Sequence, residues 1–493
     1  MQSSPLRIST GVAGLDEILL GGLPAHHMYL VDGTPGVGKT TLALGFLLEG
    51  VRRGEPCLYV TLSETKRELH AVALSHGWSL EGIRIVELAE VESSLGGAGQ
   101  NTLFQPSEVE LFDLSRLLMA EFDRTKPTRM VLDSLSELRL MAQNALRYRR
   151  QVLAFKQHFA TRNCTVLLLD DRSALAADVQ VQSIVHGLIE LKVMPLKFGI
   201  NRRYLSVAKM RGSRFREGNH DFAIRHGGVV VYPRLVAAEY TEAHERECFS
   251  SGNAELDLLS GGGFHSGTGA LLIGPAGSGK STVASMYAAT AAQAGHRVMY
   301  FAFDETSSIL KERAQNIGLD FERHIASGHL RVQQVDPAEI APGELASQII
   351  HAVESEGVRV VVLDSLNGYV NAMPQEEFLH LHLHELLSFL NQRGVLTIMI
   401  LSQHGLIGAM GTPVDVSYLA DTVMLLRFFE TRGAIRKAIS VIKKRSGAHE
   451  DTIRELKMSP RGVRVGRPLV DFEGVMTGVP KYLGGALETS LAE

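Results

Sequence analysis

The chain repeats itself at a distance of 241 residues. Gly11, Leu15 and Asp16 recur at this offset as Gly252, Leu256 and Asp257. The same offset relates two glycine-rich loops, which read Gly33-Thr34-Pro35-Gly36-Val37-Gly38-Lys39-Thr40-Thr41 and Gly274-Pro275-Ala276-Gly277-Ser278-Gly279-Lys280-Ser281-Thr282. A period this long exceeds the ~20–50 residues of solenoid repeats, so each copy is expected to be a complete domain with its own core.

The repeat predicts the domain boundaries. We expect a first domain over 1–238, a polar linker over 239–247, a second domain over 248–460 and a C-terminal tail over 461–493. The tail is rich in glycine and shows little apolar periodicity, which favours an irregular segment.

Short apolar runs alternate with helical patterns in both copies, which is typical of βαβ units on a mostly parallel twisted sheet flanked by helices. The predicted strands are 27–31, 57–62, 130–132, 165–169 and 204–208 in the first copy, and 270–273, 298–303, 358–363, 395–401, 423–426 and 439–442 in the second. The predicted helices 41–51 and 282–292 follow the glycine-rich loops directly. The expected fold class is therefore α/β, in two tandem domains.

Each glycine-rich loop has the pattern Gly-x-x-x-x-Gly-Lys-[Ser/Thr], whose backbone N–H groups converge on phosphates. Lys39 and Lys280 are expected to reach the β- and γ-phosphates, and the hydroxyls of Thr40 and Ser281 to bind Mg²⁺. A single glycine-rich turn can match by chance, but two in register favour two ATP sites.

An apolar run ends in a carboxylate in both copies, at Asp133 and at Asp364. A phosphate loop needs such a carboxylate nearby to hold the magnesium shell. An apolar run ending in aspartate is common in structural strands, but its repetition favours the metal-binding role.

Hydrolysis also needs a group that orients or deprotonates the nucleophile. Glu64 in the first copy and Asp304 with Glu305 in the second follow the next predicted strand, where such a group would lie. The alternative is that these carboxylates cap the helices that follow.

Composition excludes several classes of protein. Lysine and arginine number 50 against 54 acidic residues, so a net charge of -4 disfavours nucleic acid as the main partner. Cys57, Cys164 and Cys248 lie far apart, which argues against a disulfide framework or a cysteine zinc site and favours a cytoplasmic location. Apolar runs such as 395–401 are far shorter than the ~20 residues that span a bilayer.

Two polar groups remain open to interpretation. His380, His382 and His384 with Glu385 lack the His-Glu-x-x-His spacing of a zinc site and sit among leucines, so a structural helix is the preferred interpretation. Asp170-Asp171-Arg172 and Ser402-Gln403-His404 follow predicted strands and could contact a γ-phosphate or serve as ordinary loop residues.

Over nearly its whole length the chain resembles the KaiC family, the double-domain branch of RecA-like ATPases known from the cyanobacterial clock. The resemblance rests on the Ser-Thr-Gly-x-x-x-Leu-Asp opening, both loops, the carboxylate segments and the basic segments Lys209-Met210-Arg211-Gly212 and Lys443-Lys444-Arg445. It implies two tandem RecA-like P-loop domains, ATP and Mg²⁺ as cofactors, and a homohexamer of two stacked rings with ATP at the subunit interfaces.

The resemblance also implies roles for single residues. Family members carry paired glutamates at the catalytic strand end, whereas Ser63 occupies the first of these positions here and leaves Glu64 alone in the first copy. The basic segments of the family reach ATP bound by the neighbouring subunit, so Lys209, Arg211, Lys443 and Arg445 would neutralise charge on the transferring phosphoryl group. The alternative is a solvated basic strand end.

The second domain of the family phosphorylates itself on an adjacent serine and threonine. Ser417 matches the serine, and Tyr418 replaces the threonine, so the resemblance implies a serine autokinase in which Tyr418 either crowds the acceptor or substitutes for it. Residues 472–480 resemble the looped segment that regulates the kinase, but only thirteen residues follow them. A KaiA-type activator is therefore not expected, and a KaiB-like protein or a signalling protein is the partner implied.

Three functions remain in competition at this point. The leading one is a Mg-ATP-hydrolysing hexamer with serine autokinase activity that acts as a signalling or timing switch. The second is an ATP-driven assembly switch without kinase activity. The third is a DNA-dependent ATPase of the RecA or RadA type, which the near-neutral charge and the duplicated domain disfavour.

Overall fold

The computed structural model describes residues 6–87, 106–171, 179–196, 199–240, 244–371, 376–403, 417–431, 433–459, 462–476 and 480–483. The chain forms two compact units, Met1–Arg234 and Leu235–Glu493.

The first unit contains eleven described strands and seven described helices. The strands are β1 Arg7–Ile8, β2 Leu23–Pro24, β3 Met28–Gly33, β4 Cys57–Thr61, β5 Ile83–Glu87, β6 Arg129–Asp133, β7 Thr165–Asp171, β8 Gly187–Met194, β9 Arg202–Met210, β10 His220–Arg225 and β11 Gly228–Tyr232. The helices are α1 Leu15–Ile18, α2 Lys39–Arg52, α3 Lys66–Ser75, α4 Pro106–Thr125, α5 Leu135–Ala142, α6 Ala145–Ala160 and α7 Val179–Ile184.

The second unit repeats this plan. Its described strands are β12 Cys248–Phe249, β13 Phe264–His265, β14 Gly269–Pro275, β15 Arg297–Ala302, β16 Leu330–Gln334, β17 Val358–Asp364, β18 Leu396–Gln403, β19 Thr422–Thr431, β20 Ala434–Lys444, β21 Arg454–Ser459, β22 Gly462–Pro468, β23 Phe472–Glu473 and β24 Lys481–Tyr482. Its described helices are α8 Ala254–Leu259, α9 Lys280–Gln293, α10 Ser307–Gln315, α11 Phe321–Ala326, α12 Pro342–Glu354, α13 Leu366–Asn371 and α14 Glu376–Gln392, with a 3-10 turn at Ala237–Tyr240.

Each unit is built on a nine-stranded sheet. The strand orders are β11-β10-β9-β8-β3-β7-β6-β4-β5 and β16-β15-β17-β18-β14-β19-β20-β21-β22. Six strands of each sheet run parallel, and the last three pair antiparallel as an extension at one edge. The predicted fold class of two tandem RecA-like α/β domains is confirmed.

The central strands are buried on both faces, as expected for parallel strands covered by helices. In β3, Tyr29 and Val31 pack into the core that contains α2, while Met28 and Leu30 pack into the core that contains α5 and α6. In β14, Leu272 and Leu271 divide between two cores in the same way. The phosphate loops therefore emerge from the buried centre of each sheet.

The structure differs from the sequence analysis around the domain boundaries. Gly462–Pro468, expected in the tail, is the edge strand β22, with Val463 and Val465 buried in the second core. Leu235 and Ala237, expected in the first domain, pack into the second unit, where Ala237 N donates to Glu385 Oε2. These apolar stretches are too short to stand out from their polar surroundings.

Candidate functional site

The two phosphate loops lie at the carboxyl ends of β3 and β14, each leading into a long helix. Gly38 and Gly279 precede α2 and α9 with φ values of 115° and 107°, a conformation that glycine adopts readily. A Cβ atom would lie 2.7 Å from Ile224 Cδ1 at Gly38 and 1.8 Å from Met458 Cε at Gly279. The antiparallel extensions therefore pack directly against both loops and require glycine there.

The helix N-termini are suited to an anion. Gly38 and Gly279 occupy the N-cap positions and have no side chain that could cap the helix. First-turn N–H groups are therefore left for a ligand. Thr34, Pro35 and Gly36 are exposed in the first loop, as are Ala276 and Gly277 in the second, whereas Val37 and Ser278 are buried. Thr41 and Thr282 are buried in the first helical turns.

Both loop lysines fold back onto their own loops. Lys39 Nζ donates to Gly33 O at 2.8 Å and Thr34 O at 3.0 Å, and Lys280 Nζ donates to Gly274 O at 2.9 Å and Pro275 O at 2.8 Å. Burial lowers the pKa of Lys280 to about 8 against the opposing effect of Asp364. Lys39 additionally forms an ion pair with Asp171.

The strand-end aspartates lie beside the hydroxyl residues of the loops. Thr40 Oγ1 donates to Asp133 Oδ2 at 3.2 Å, and Ser281 hydrogen-bonds to Asp364. Burial raises the pKa of both carboxyls, and these hydrogen bonds oppose the rise. The peptide bond after each aspartate is cis.

Sequence analysis missed a tyrosine in each site. Tyr59 OH donates to Asp133 Oδ2, and Tyr300 OH donates to Asp364 Oδ2, both at 2.6 Å. Both tyrosines are completely buried. The signal that could have found them is their separation of 241 residues, because an aromatic residue in a buried strand otherwise indicates only core packing.

The strand-end carboxylates do not cap the helices that follow. Thr65 and Thr306 occupy the N-cap positions of α3 and α10 and accept hydrogen bonds from helix N–H groups. The Thr61 side chain instead fixes the Glu64 backbone, accepting from Glu64 N at 2.9 Å and donating to Glu64 O at 2.7 Å. The carboxylates are thus held at the strand ends by other groups.

The carboxylates of the two copies have different partners. Glu64 Oε2 is buried without a hydrogen-bond partner in the described residues, and burial together with Asp133 raises the pKa of this carboxyl. In the second copy, Ser365 Oγ donates to Asp304, and Arg313 forms an ion pair with Glu305. Burial is also the main effect that raises the pKa of Glu305.

In each sheet the basic segment lies at the end of the strands opposite the phosphate loop. In the first sheet Met210 pairs with Gly187, which pairs with Tyr29 near the beginning of β3. In the second, Lys444 pairs with Thr422, which pairs with Ala270 near the beginning of β14. A strand length separates each basic segment from the loop of its own sheet.

Within this single chain the basic side chains bind backbone carbonyls. Lys209 Nζ donates to Gln182 O and Arg211 Nη2 to Ser183 O, both at 2.5 Å, while Met210 is buried. In the second unit the contacts are Lys443 to Ser417 O at 3.1 Å and Ala420 O at 2.8 Å, Lys444 to Ser260 O at 2.6 Å and Arg445 to Tyr418 O at 3.1 Å.

Ser417 lies beside the second basic segment, in a turn that leads into β19. Asp421 N donates to Gly269 O at 2.8 Å, which fixes this turn at the first residue of β14. The six residue intervals of β14 from Gly269 to Pro275 then separate this end of the strand from the phosphate loop by about 20 Å. Ser417 is not brought together with Asp304, Glu305 or Lys280 of its own chain.

The remaining polar groups have structural surroundings. His382 is partly buried, with its Nδ1 2.5 Å from Tyr369 OH, and His380 faces the Tyr418 ring. Asp170 pairs with Arg139 on α5. Among the described residues, no cluster of three His, Cys, Asp or Glu side chains could hold a metal ion, and no helix has the length and apolar character needed to cross a bilayer.

The oxygen donors beside each loop fit Mg²⁺. A hydroxyl and a carboxylate oxygen are in contact in both copies, and hard oxygen ligands are those that Mg²⁺ prefers. Both carboxylates are more than nine-tenths buried, an environment in which a bound cation compensates the charge.

Comparison with known proteins agrees with this geometry. A family model described as "ATPase: KaiC" matches residues 8–236 and again residues 249–470. The chain is 30% identical to the circadian clock oscillator protein KaiC of Thermostichus vulcanus, over 99% of this chain and 94% of that protein. It is 26% identical to the circadian clock oscillator protein KaiC of Acaryochloris marina, over 96% of this chain and 91% of that protein. It is 25% identical to the circadian clock protein KaiC3 of a Synechocystis strain, over 97% of this chain and 95% of that protein.

Proposed function

The chain belongs to the KaiC family of ATPases, and from this premise we propose that it binds and hydrolyses Mg-ATP in both copies. We further propose that it assembles as a homohexamer and transfers phosphate to Ser417. In this proposal the protein is a signalling or timing switch whose state is set by ATP.

The geometry of the two loops supports two ATP sites. Lys39 and Lys280 would exchange their loop carbonyl partners for phosphate oxygens. Thr40 with Asp133, and Ser281 with Asp364, would hold Mg²⁺, which when bound spreads the charge of the phosphates. Glu64 and Glu305 would orient the attacking water and accept its proton.

The placement of the basic segments carries the proposal of a hexamer. Lys209, Arg211, Lys443 and Arg445 lie a strand length from the loop of their own sheet. A phosphate within their reach must therefore be presented by another subunit. Rings of identical subunits in head-to-tail contact provide this arrangement.

The same placement supports phosphorylation between subunits. Ser417 lies at the same end of the strands as Lys443, whose Nζ donates to the Ser417 carbonyl. Strand β14, about 20 Å long, separates that end from the second phosphate loop of the same chain. Asp304 or Glu305 of one subunit would therefore act on Ser417 of its neighbour.

Nucleotide stoichiometry tests the two-site proposal. Wild-type protein saturated with Mg-ATP should hold two nucleotides per chain, and Lys39→Ala and Lys280→Ala should each hold one, since each removes a phosphate-binding cation. One nucleotide per wild-type chain, unaffected by one of the two changes, would contradict it.

Light scattering with and without Mg-ATP tests the assembly. A hexamer is expected with nucleotide, and the combined variant Arg211→Ala, Arg445→Ala should lose ATP hydrolysis while each chain still folds. A monomer at saturating Mg-ATP would remove the support for neighbour contacts.

Phosphopeptide mapping after incubation with Mg-ATP tests the autokinase. Phosphate is expected on Ser417, absent from Ser417→Ala and from the double variant Asp304→Asn, Glu305→Gln. Retention of both ATP sites without any phosphate would favour the assembly switch. Stimulation of ATP hydrolysis by DNA at physiological salt would favour a RecA-type function.

We also propose a cytoplasmic location and a KaiB-like or signalling protein as partner. The three cysteines are free thiols, two of them buried, which suits a reducing compartment. Co-purification of bound proteins from the native host, with and without ATP, tests the partner.

A further inference from the structure

Arg313 of α10 forms a hydrogen-bonded ion pair with the carboxylate of Glu305. Nη1 donates to Glu305 Oε2 at 2.8 Å, and Nη2 lies 2.8 Å from Oε1. The side chains of Arg313 and Glu305 are only 31% and 18% exposed. A half-buried pair that includes a charged hydrogen bond is stronger and more directional than a surface ion pair.

The guanidinium also faces the strand-end aspartate. Nη2 of Arg313 lies 3.9 Å from Asp364 Oδ2. Arg313 therefore lies within ion-pairing distance of two carboxylates that the proposed ATP site uses, and it opposes the rise that burial causes in the pKa of each.

The first copy has a different residue at the equivalent position. The offset of 241 residues relates Arg313 to Val72, and Glu305 to Glu64. Val72 packs against the apolar core. Glu64 Oε2 and Glu305 Oε1 both lack a hydrogen-bond partner in the described part of the chain, but only Glu305 accepts a hydrogen bond from Arg313, through Oε2. One arginine thus distinguishes the two carboxylates.

We propose that Arg313 is a positioning residue that restrains Glu305 and makes the second copy the slower of the two ATP-hydrolysing sites. The inference rests on the proposed ATPase function. A carboxylate that activates the attacking water must direct an oxygen at that water and attract its proton. The guanidinium donates a hydrogen bond to Oε2 of Glu305, lies 2.8 Å from Oε1 and lowers the attraction of the carboxylate for a proton, whereas Glu64 has no such restraint.

The test uses full-length protein carrying Lys39→Ala, so that hydrolysis reports the second site. Arg313→Val introduces the first-copy residue, and Arg313→Lys keeps the charge but replaces the guanidinium with an ammonium group. We measure kcat, KM and, by equilibrium dialysis, the Kd of Mg-ATP. Arg313→Val should raise kcat roughly tenfold, the order contributed by a charged hydrogen bond, with Kd changed less than about twofold. Arg313→Lys should give an intermediate kcat.

A further variant shows whether the effect passes through the carboxylate. Adding Glu305→Gln to Arg313→Val should abolish the gain in kcat, which a general loosening of α10 would not predict. Normal ATP binding with an unchanged or reduced kcat in Arg313→Val overturns the inference alone. Absence of ATP binding in the Lys39→Ala parent overturns the proposed function, and the inference with it.

Discussion

Lys39 Nζ lies 2.7 Å from Asp171 Oδ1 at the end of β7, so the first phosphate loop carries its own anionic partner. Asp171 pairs in register with Gly33. In the second sheet Ser402 pairs in register with Gly274, so a hydroxyl stands where the first copy has a carboxylate. The two loops therefore share a sequence pattern but differ in the charge that faces the incoming phosphate.

Asp171→Asn should tighten ATP binding at the first site, because phosphate no longer competes with a carboxylate for Lys39. The Asp171 side chain is 42% exposed, so the gain is expected to be about two- to fivefold, the range of a partly exposed ion pair. Equilibrium dialysis in a Lys280→Ala background measures it. The same change in a Lys39→Ala background provides the control, because only the second site binds there and its affinity should stay constant.

Tyr59→Phe should destabilise the first domain by about 1.5–3 kcal/mol, because the buried Asp133 carboxylate loses a charged hydrogen bond. Trp78, the one tryptophan of the chain, packs against the first core, so its fluorescence during urea unfolding reports this domain. Tyr29→Phe is the matched control, since Tyr29 OH donates at 2.5 Å to the neutral carbonyl of Pro24. The control should cost about 0.5–1.5 kcal/mol and leave ATP hydrolysis unchanged. Equal effects of both changes on hydrolysis would contradict a role for Tyr59 in placing Asp133.

ATP binding at the second site should weaken above pH 8. Burial lowers the pKa of Lys280 to about 8, and a phosphate-bound lysine must be protonated, so binding above this pH takes up a proton. The Kd of Mg-ATP, measured in the Lys39→Ala protein, should be level below pH 8 and rise toward about tenfold per pH unit above it. Lys280→Arg keeps its charge throughout and should remove the slope, whatever its absolute affinity. A level Kd across pH 8 in the parent would show that Lys280 stays charged.

Arg129→Met should destabilise the first domain by about 3–5 kcal/mol, the cost of breaking a buried ion pair. Arg129 is completely buried, with Nε 2.5 Å from Glu55 Oε2 and Nη1 2.7 Å from Ser9 O. Arg84→Met provides the control, because Arg84 lies 4.0 Å from Glu121 at the surface. Urea unfolding followed by Trp78 fluorescence should show a shift of less than about 1 kcal/mol for the control.

Sequence analysis predicted the parts of the fold in which one pattern extends over many residues. The helices after the loops were predicted within two residues at each end, as Lys39–Arg52 and Lys280–Gln293. The central strands were found because parallel strands buried on both faces are continuous apolar runs. The repeat made both phosphate loops unambiguous.

Strands β8, β10 and β22 were missed because charged residues interrupt their apolar residues. In β8, β10 and β22 apolar residues alternate with charged ones over short stretches, as in Val463-Arg464-Val465. Alternation this short does not separate a half-buried strand from a polar loop. Pairing with the strand already in place decides the matter, and a single sequence does not show pairing.

The site residues that were missed depend on tertiary contacts. Tyr300 and Tyr59 have the sequence signature of core residues, and only the structure shows where their hydroxyls point. Arg313 belongs to an ordinary helix, eight residues after the carboxylate it binds. Asp171 was noted as a polar strand end, but its ion pair with Lys39 joins residues that are 132 positions apart in the sequence.

The loop and the basic segment lie at opposite ends of the strands of one sheet. In the proposed hexamer each catalytic site is therefore formed at a junction between two chains. A chain that lacks Lys280 still offers an intact Arg445 to its neighbour, and a chain that lacks Arg445 still offers an intact loop. Mixed in equal amounts before assembly, two such inactive proteins complement each other at about one junction in four. A chain that lacks both residues disables the sites on both of its sides, whereas a chain that lacks only one of them disables a single site.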